Sequence, residues 1–414
     1  MRRIVFAILL LILSSAPLWS SNFSDYYSEL SALQGLTSDL NTGTTVFPLL
    51  RIPSGGKAES MGTAQTAVAS DSSSIMFNPA VSSVLDLTEL AFLHNNWISD
   101  TSVESVMFTM RLEELGLGAG VKLLYLPFTK YDVWGEAKAK GYPLESIATL
   151  NASYNFFSSY YFSGVSAGIS LKAGYRHIPA DFYDAAAYSN QSSFALMADA
   201  GLYSSFNFLK FYSSRDKNFS VGLVFKNAGL ETLGEPLPSE LSAGIAYSPV
   251  RPLQIAVDFN LPVNFDPALP SEIWYLSGGF DAVITDFFSF QGGFNYRGAN
   301  PRISLGSTID LKDVSFNLNY TLDLTTQTNA LDRFSIESKL KLGDEGRYEK
   351  KAIVDELYIN GLEAYASGDL EKAIAYWEAA LEIDREFTPA EEFIASATRS
   401  IQLLERMQEL NKVE

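Results

Sequence analysis

The chain of 414 residues carries 48 acids against 30 bases, a formal net charge of −18, with no cysteine and two histidines. The lack of cysteine excludes disulfides, thiolate metal sites and a lipid-modified cysteine, and the acidic balance argues against a general nucleic-acid binder, which needs a basic footprint. Charged residues make up only 19% and aromatics 13%, whereas roughly 25% charged is usual for a soluble enzyme. At the N-terminus, Arg2 and Arg3 precede the apolar run Ile4–Leu13 and the stretch Ser14-Ser15-Ala16-Pro17-Leu18-Trp19-Ser20. A short basic region, about ten apolar residues and a small-residue exit form a secretory signal peptide. The run is too short to span a bilayer, which takes about 20 residues. Residues 1–20 are therefore expected to be removed, with cleavage near Ser20 or Ser21.

The next segment, 21–86, is rich in Ser, Gly and Ala and shows little alternation. Its distinctive block runs from Ile52-Pro53-Ser54-Gly55-Gly56 through Met61-Gly62 and Ala69-Ser70-Asp71 to Asn78-Pro79-Ala80. From Leu87 to Leu342 apolar and polar residues alternate with the period of two that marks strands. In one run Val314, Phe316, Leu318, Tyr320 and Leu322 interleave with Ser315, Asn317, Asn319, Thr321 and Asp323. Strands of about ten residues suit a tilted crossing of a bilayer. About fourteen of them can be counted, an even number as outer-membrane barrels require. Short turns at Leu112–Glu114, Phe157–Tyr160, Ser248–Pro252, Ala282–Asp286 and Lys312–Asp313 alternate with longer loops. The stretch Leu209–Lys217 breaks the rule, being long where a short turn is expected. The fold class expected for 87–342 is an all-β transmembrane barrel of about fourteen antiparallel strands.

After Leu342 the pattern turns helical, and residues 343–414 hold 17 acids and 8 bases, about half of the net negative charge. Gly361, Tyr365, Gly368, Ala373, Trp377, Ala380, Ile383 and Asp384 stand at spacings that resemble a tetratricopeptide repeat. Leu357–Ser367 and Leu370–Asp384 are the expected helix pair, with Gly368 ending one and Asp369 capping the other. A third helix is expected from Thr388-Pro389-Ala390-Glu391 to about Leu410. One repeat plus one helix is less than the three repeats a stable solenoid usually needs. The tail is thus expected to be a soluble module that takes no part in the stability of the barrel and binds a periplasmic protein, with Trp377 and Tyr365 in its core.

The ordered block in 21–86 resembles the N-terminal region of the long-chain fatty-acid transporters of bacterial outer membranes (FadL-like) and of PorV-like barrels. It is most similar to an uncharacterised spirochaetal family related to them, in which Asn41-Thr42-Gly43, Arg51-Ile52-Pro53-Ser54-Gly55-Gly56 and Asn78-Pro79-Ala80 look typical. The resemblance spans the N-terminal segment and the whole barrel. It implies fourteen strands, a hatch that plugs the lumen, and passage of hydrophobic ligands with lateral exit through a distorted third strand. The residues that carry the hatch motif are Gly55, Gly56, Met61, Gly62, Asp71, Asn78, Pro79 and Ala80.

Within the strands, Gly116, Gly118 and Gly120 of the third strand point inward. They mark either a kinked strand through which an apolar ligand leaves sideways, or room made for the hatch. Gly164 and Gly168 fit the second reading too. Gly164-Val165-Ser166-Ala167-Gly168 matches the serine-hydrolase elbow, but its flanks continue as one strand and no acid lies between Ser166 and His177. His94 and His177 have no acid cluster at metal-ligand spacing. Inward charges such as Arg251, Arg297, Arg302, Asp310, Glu337, Lys339 and Lys341 line a passage or hold the hatch by ion pairs.

The expected function is passive outer-membrane transport of hydrophobic molecules, fatty acids or related lipids, with no enzyme activity, metal or cofactor. The alternative is an anchor or scaffold for a secretion or envelope complex. An even strand count puts hatch and tail on the same, periplasmic side.

Overall fold

The computed structural model describes residues 45–97, 101–180, 190–212, 216–265, 272–297, 301–323 and 332–411. The signal-peptide reading and the Asn41-Thr42-Gly43 motif lie outside them. Fourteen strands close into one antiparallel barrel. In chain order they are β1 (Thr88–Asn96), β2 (Ser102–Leu112), β3 (Leu115–Tyr125), β6 (Leu144–Phe156), β7 (Val165–His177), β8 (Ser193–Phe206), β9 (Phe219–Gly229) and β10 (Glu240–Val250), then β11 (Leu253–Pro262), β12 (Tyr275–Thr285), β13 (Phe288–Tyr296), β14 (Arg302–Asp310), β15 (Val314–Asp323) and β16 (Arg333–Gly343). A small hairpin, β4 (Phe128–Tyr131) and β5 (Ala137–Gly141), stands apart from the barrel in the loop between β3 and β6. Closure is made by β1 on β16, with Leu93 opposite Glu337.

Alternation decides which way each side chain points. On β15, Asn317 is 0% exposed while its neighbour Leu318 is 42% exposed. Ser315, Asn319 and Thr321 are buried with Asn317, and Phe316, Tyr320 and Leu322 are exposed with Leu318. This inverts a soluble fold. Each large apolar side chain left in water forgoes about 1.5–3 kcal/mol of burial, so a continuous apolar exterior calls for lipid as its solvent.

The loop rule holds with exceptions at both ends. At the long-loop end, β1 to β2 and β13 to β14 are joined by only the five residues 97–101 and 297–301. At the short-turn end, the connection after Phe156 runs to Val165, longer than expected, and 207–218 is long as its sequence already indicated. Both of these longer turns meet the C-terminal helices.

Inside the barrel runs the N-terminal segment, 45–86. It forms a short helix, α1 (Gly56–Ser60), and three 3-10 turns, Pro48–Arg51, Ser72–Met76 and Pro79–Ser83. Such a compact, irregular chain has few backbone bonds of its own, so strand side chains supply the rest. Asn151 of β6 donates to the Pro79 carbonyl at 2.9 Å, and Ser220 of β9 to the Ala67 carbonyl at 2.7 Å. Asp258 of β11 accepts from the amides of Gln65 and Thr66, each at 2.8 Å.

The tail is three helices, α2 (Arg347–Ala366), α3 (Leu370–Ile383) and α4 (Thr388–Asn411). The first begins ten residues before the expected Leu357, because Gly346 at φ 75° turns the chain directly into it. Gly368, at φ +84°, ends α2, and the Asp369 carboxylate accepts from the Lys372 amide at 3.3 Å to cap α3. Trp377 and Phe387 are fully buried in a core with Val354, Ala373 and Ala390. Gly361 is required there, since a Cβ would run into the Trp377 indole.

The tail makes contacts with the short-turn rim of the barrel. Tyr160, from the β6–β7 turn, stacks edge-on against Phe387 with ring centroids 5.3 Å apart. The Tyr161 hydroxyl donates to Glu392 at 3.2 Å, and Arg347 donates to the carbonyls of Arg111 and Asp86 at 2.9 and 2.8 Å. Lys351 faces Asp216 of the β8–β9 turn at 3.8 Å.

Candidate functional site in the barrel lumen

The motif residues of the N-terminal segment form three anchorages on the inner wall, not one cluster. The first faces β15 and β16. The Gly56 amide donates to Glu337 at 3.1 Å, and a side chain on Gly56 would collide with Asn317. Gly55 sits at φ +130°, where a Cβ would lie 2.6 Å from that of Ser73. Asp71 caps the turn that begins at Ser72, accepting from the Ser73 amide at 3.0 Å. Its other carboxylate oxygen meets Lys339 at 2.6 Å, and Lys339 is 3.5 Å from Glu337. Burial alone would raise the Asp71 carboxyl, but Lys339, the Ser73 hydroxyl and Lys57 outweigh it and hold the group well below the ordinary carboxylate range.

The second anchorage faces β12 and β13. Met61 is fully buried beside Ala64, Ala246 and Ala256. Gly62, at φ +63°, lies so close to β13 that a Cβ would stand 2.6 Å from the Phe294 amide nitrogen. The third faces β6 to β8. Asn78 donates to the carbonyls of Thr66 at 2.8 Å and Leu202 at 3.1 Å, while its oxygen accepts from the Ala80 amide at 3.0 Å. Pro79 starts the turn where its missing N–H costs nothing.

Gly116, Gly118 and Gly120 lie on β3 and face the same segment. A Cβ on them would meet the backbone of Ser82, the tip of Ile75 and the Met76 methyl respectively. Gly168 likewise faces Pro79, whereas Gly164 sits in the turn before β7 against Asn155. The expected kink in the third strand is not formed. β3 is paired without a register shift from Leu115 to Tyr125, to β2 on one edge and β6 on the other. Ser166, in the elbow-like motif, is a strand residue that donates to Asn155 at 3.1 Å. His94 pairs with Glu104 at 2.7 Å on the exterior. Arg251 lies exposed on the β10–β11 turn, and Asp310 pairs with Lys341 at the rim.

Two kinds of hollow flank this wall. At the long-loop end the lumen keeps a chamber of about 130 Å³, walled by charged and polar strand side chains, by Arg51 and Glu59 of the segment, and by apolar groups such as Leu50, Met76, Phe77 and Ile147. Outside, an apolar groove of about 600 Å³ runs over β2, β3, β6, β7 and β8, with Leu150, Leu171 and Leu196 along it and Ala119, Ala148 and Ala173 at its floor. Gly120 also borders it, so the β3 backbone alone separates this groove from Met76. The sequence reading missed the outer groove. Its signal is the alignment of alanines across strands, Ala148 opposite Ala173, which appears only once the register is known.

The model of the Uncharacterised protein family (UPF0164) matches residues 28–345. The chain belongs to this family. Two UPF0164 proteins of Treponema pallidum (strain Nichols) are similar to it along most of their length. One is 28% identical over 383 residues, 88% of this chain and 85% of the relative. The other is 24% identical over 393 residues, 87% of this chain and 77% of the relative. Among solved structures, the Pseudomonas putida toluene transporter TodX matches with a TM-score of 0.48 and 13% identity, covering 69% of this chain and 96% of that one. The Ralstonia pickettii toluene transporter TbuX gives 0.47 and 11%, covering 70% and 98%.

Proposed function

We propose that this UPF0164 protein is an outer-membrane barrel through which hydrophobic molecules pass, fatty acids or related lipids among them, with the N-terminal segment as its gate. The observation that carries this reading is the thin wall at β3. An apolar groove large enough for an acyl chain lies outside, glycines stand in the wall, and the segment's Ile75 and Met76 lie directly behind. Movement of the segment would vacate the space in front of Gly118 and Gly120, and sideways passage of a ligand between lumen and lipid would further require β3 to part from β2 or β6, to which it is paired along its length. The segment is held both by hydrogen bonds and ion pairs and by apolar clusters such as that of Phe47 and Leu49 with Val103, Ile147 and Met197. Gate and tail would both face the periplasm.

The scaffold reading draws on a different observation, the tail seated on the barrel rim through Tyr160 and Arg347. It requires no passage. A crosslink separates the two. Ser82 and Ser153 hydroxyl oxygens are 2.6 Å apart, and the chain has no native cysteine. The Ser82→Cys, Ser153→Cys protein should therefore form a disulfide between segment and wall when oxidised. In liposomes, entry of a labelled fatty acid should stop on oxidation and return on reduction. Equal entry in both states would remove the segment as a gate, and no entry above protein-free liposomes in either state would favour the scaffold.

A further inference from the structure

The chamber at the long-loop end sets apolar walls, Leu50, Met76, Phe77 and Ile147 among them, beside an unusual number of cations. Seven basic side chains border it: Arg51 from the segment, Arg297 from the connection just past β13, and Lys122, Lys172, Lys226, Arg302 and Arg333 from five strands. Their carboxylate partners are fewer. Arg51 and Arg297 share Glu272. Lys172 pairs with Asp199 at 2.5 Å, Lys226 with Glu240 at 2.6 Å, Arg302 with Asp323 at 3.7 Å and Arg333 with Glu59 at 3.8 Å.

Lys122 differs from the others. Its ammonium is buried, 5% exposed, and donates to the Ile52 carbonyl, a neutral group. Two guanidinium nitrogens, Nε of Arg51 and Nε of Arg333, are buried without an acceptor. Arg333 is itself only 3% exposed, with its guanidinium 3.9 Å from the centroid of the Trp97 ring. Buried cationic donors left without an anion are costly. Lys122 meets only a neutral carbonyl, and Arg51 and Arg333, paired with carboxylates through other nitrogens, each keep one unbonded Nε. The segment, β3 and β16 thus present three donors on the border of one hollow to an acceptor placed between them.

We infer that this chamber is a binding site for an oxyanion, a carboxylate or phosphate group, held by Lys122 together with Arg51 and Arg333. The chemistry follows from the donors, since guanidinium and ammonium groups grip carboxylate and phosphate oxygens with short, charge-assisted hydrogen bonds. The size agrees. About 130 Å³ is on the scale of the ~150 Å³ cavities that hold a single small ring, enough for a phosphate or a carboxylate head but not for a long chain. Because Ile52 and Arg51 belong to the segment, an anion bound here would also tie the segment to β3 and β16.

The test measures binding without passage, so it stands whether or not the segment gates the barrel. The full-length protein in a nonionic, phosphate-free detergent would be titrated calorimetrically with inorganic phosphate, with octanoate, and with octanol as an uncharged control. Phosphate or octanoate should bind, more weakly as salt is raised, and octanol should not compete. Phosphate binding that octanoate fails to displace identifies a free oxyanion, and displacement by octanoate identifies the head of an amphiphile. Lys122→Gln should weaken binding about tenfold or more, as expected for losing a buried charged donor, and Lys122→Arg should restore it. Heat-modifiable migration on gels establishes that each variant is folded, and if Lys122→Gln fails that check, the salt dependence and the octanol control of the native chain still decide. Binding of neither anion, undiminished binding in folded Lys122→Gln, or equal competition by octanol would overturn the assignment.

Discussion

Replacing Lys339 by Met should loosen the N-terminal segment far more than it loosens the barrel. Lys339 is the cation between two buried carboxylates, Asp71 at 2.6 Å and Glu337 at 3.5 Å, exposed by only 4% and 0%. Removing one partner of a buried pair strands the other at a cost of about 3–5 kcal/mol. Withdrawal of the segment lets water reach Asp71, so the cost falls on the seated state. An opening constant raised roughly 100- to 5,000-fold follows from that range. The chain has no cysteine and Ala67 is fully buried on the segment, so Ala67→Cys gives a background in which thiol labelling reports opening. The double variant Asp71→Asn, Lys339→Met should recover part of the loss, because the nearer of the two stranded carboxylates is gone while Glu337 remains. Labelling of Lys339→Met within about threefold of the background, a scale set by ordinary surface changes, would refute the reasoning. The same pair sets a pH dependence, in surroundings that also include Lys57, Glu89 and Glu337. Asp71 is depressed on seating, so its contribution is complete above its free value of about 4 and fades as pH falls through the lower, seated value. The difference in opening between the background and Asp71→Asn should be level from about pH 5 upward and shrink in stronger acid.

Three other outcomes follow from the same geometry. Leu318→Arg places a charge on the outer face and should cost about 2–4 kcal/mol in refolding into liposomes if it lies near the midplane, measured by urea titration; Asn317 is no suitable inward control, because it is packed against Gly56. Deleting 22–80 should leave a barrel that assembles but conducts ions freely in planar bilayers, since side chains alone do not fill so wide a lumen; equally low conductance in both proteins would contradict this. Tyr160→Ala removes a ring seated against Phe387 and should free the helices by about 0.5–1.5 kcal/mol, seen as faster proteolysis after Gly343 with unchanged heat-modifiable migration of the barrel.

The strands were legible because alternation is local. Phe316 and Asn317 declare opposite faces without reference to anything distant, and fourteen strands could be counted from such runs. What the inward residues do was not legible. Gly118 reads equally as a bend or as room, and only the position of Ile75, 43 residues earlier in the sequence, shows which neighbour occupies the space. Asp71 and Lys339 are separated by 268 positions, so no spacing rule could pair them. Tyr160 and Tyr161 look like rim aromatics of any barrel, and their engagement with the tail depends on a helix core that forms more than 200 residues later. The cationic chamber was half visible. Arg297 and Arg302 were recognised as inward, but Lys122 hides within a strand read for its glycines.

The seam between the first and last strands also orders events in time. Gly56 and Asp71 of the segment find their partners on β16, 281 and 268 residues later in the chain. Contacts so distant in sequence form slowly, because long loops must close before they are rewarded. Until β16 arrives, β1 has an unpaired edge and the segment an unpaired Asp71. The last strand thus supplies both the edge that closes the wall on β1 and the partners of Gly56 and Asp71 in the lumen. A chain truncated before Arg333 would be left with both an open edge and an unseated segment, which makes the final strand the checkpoint of assembly.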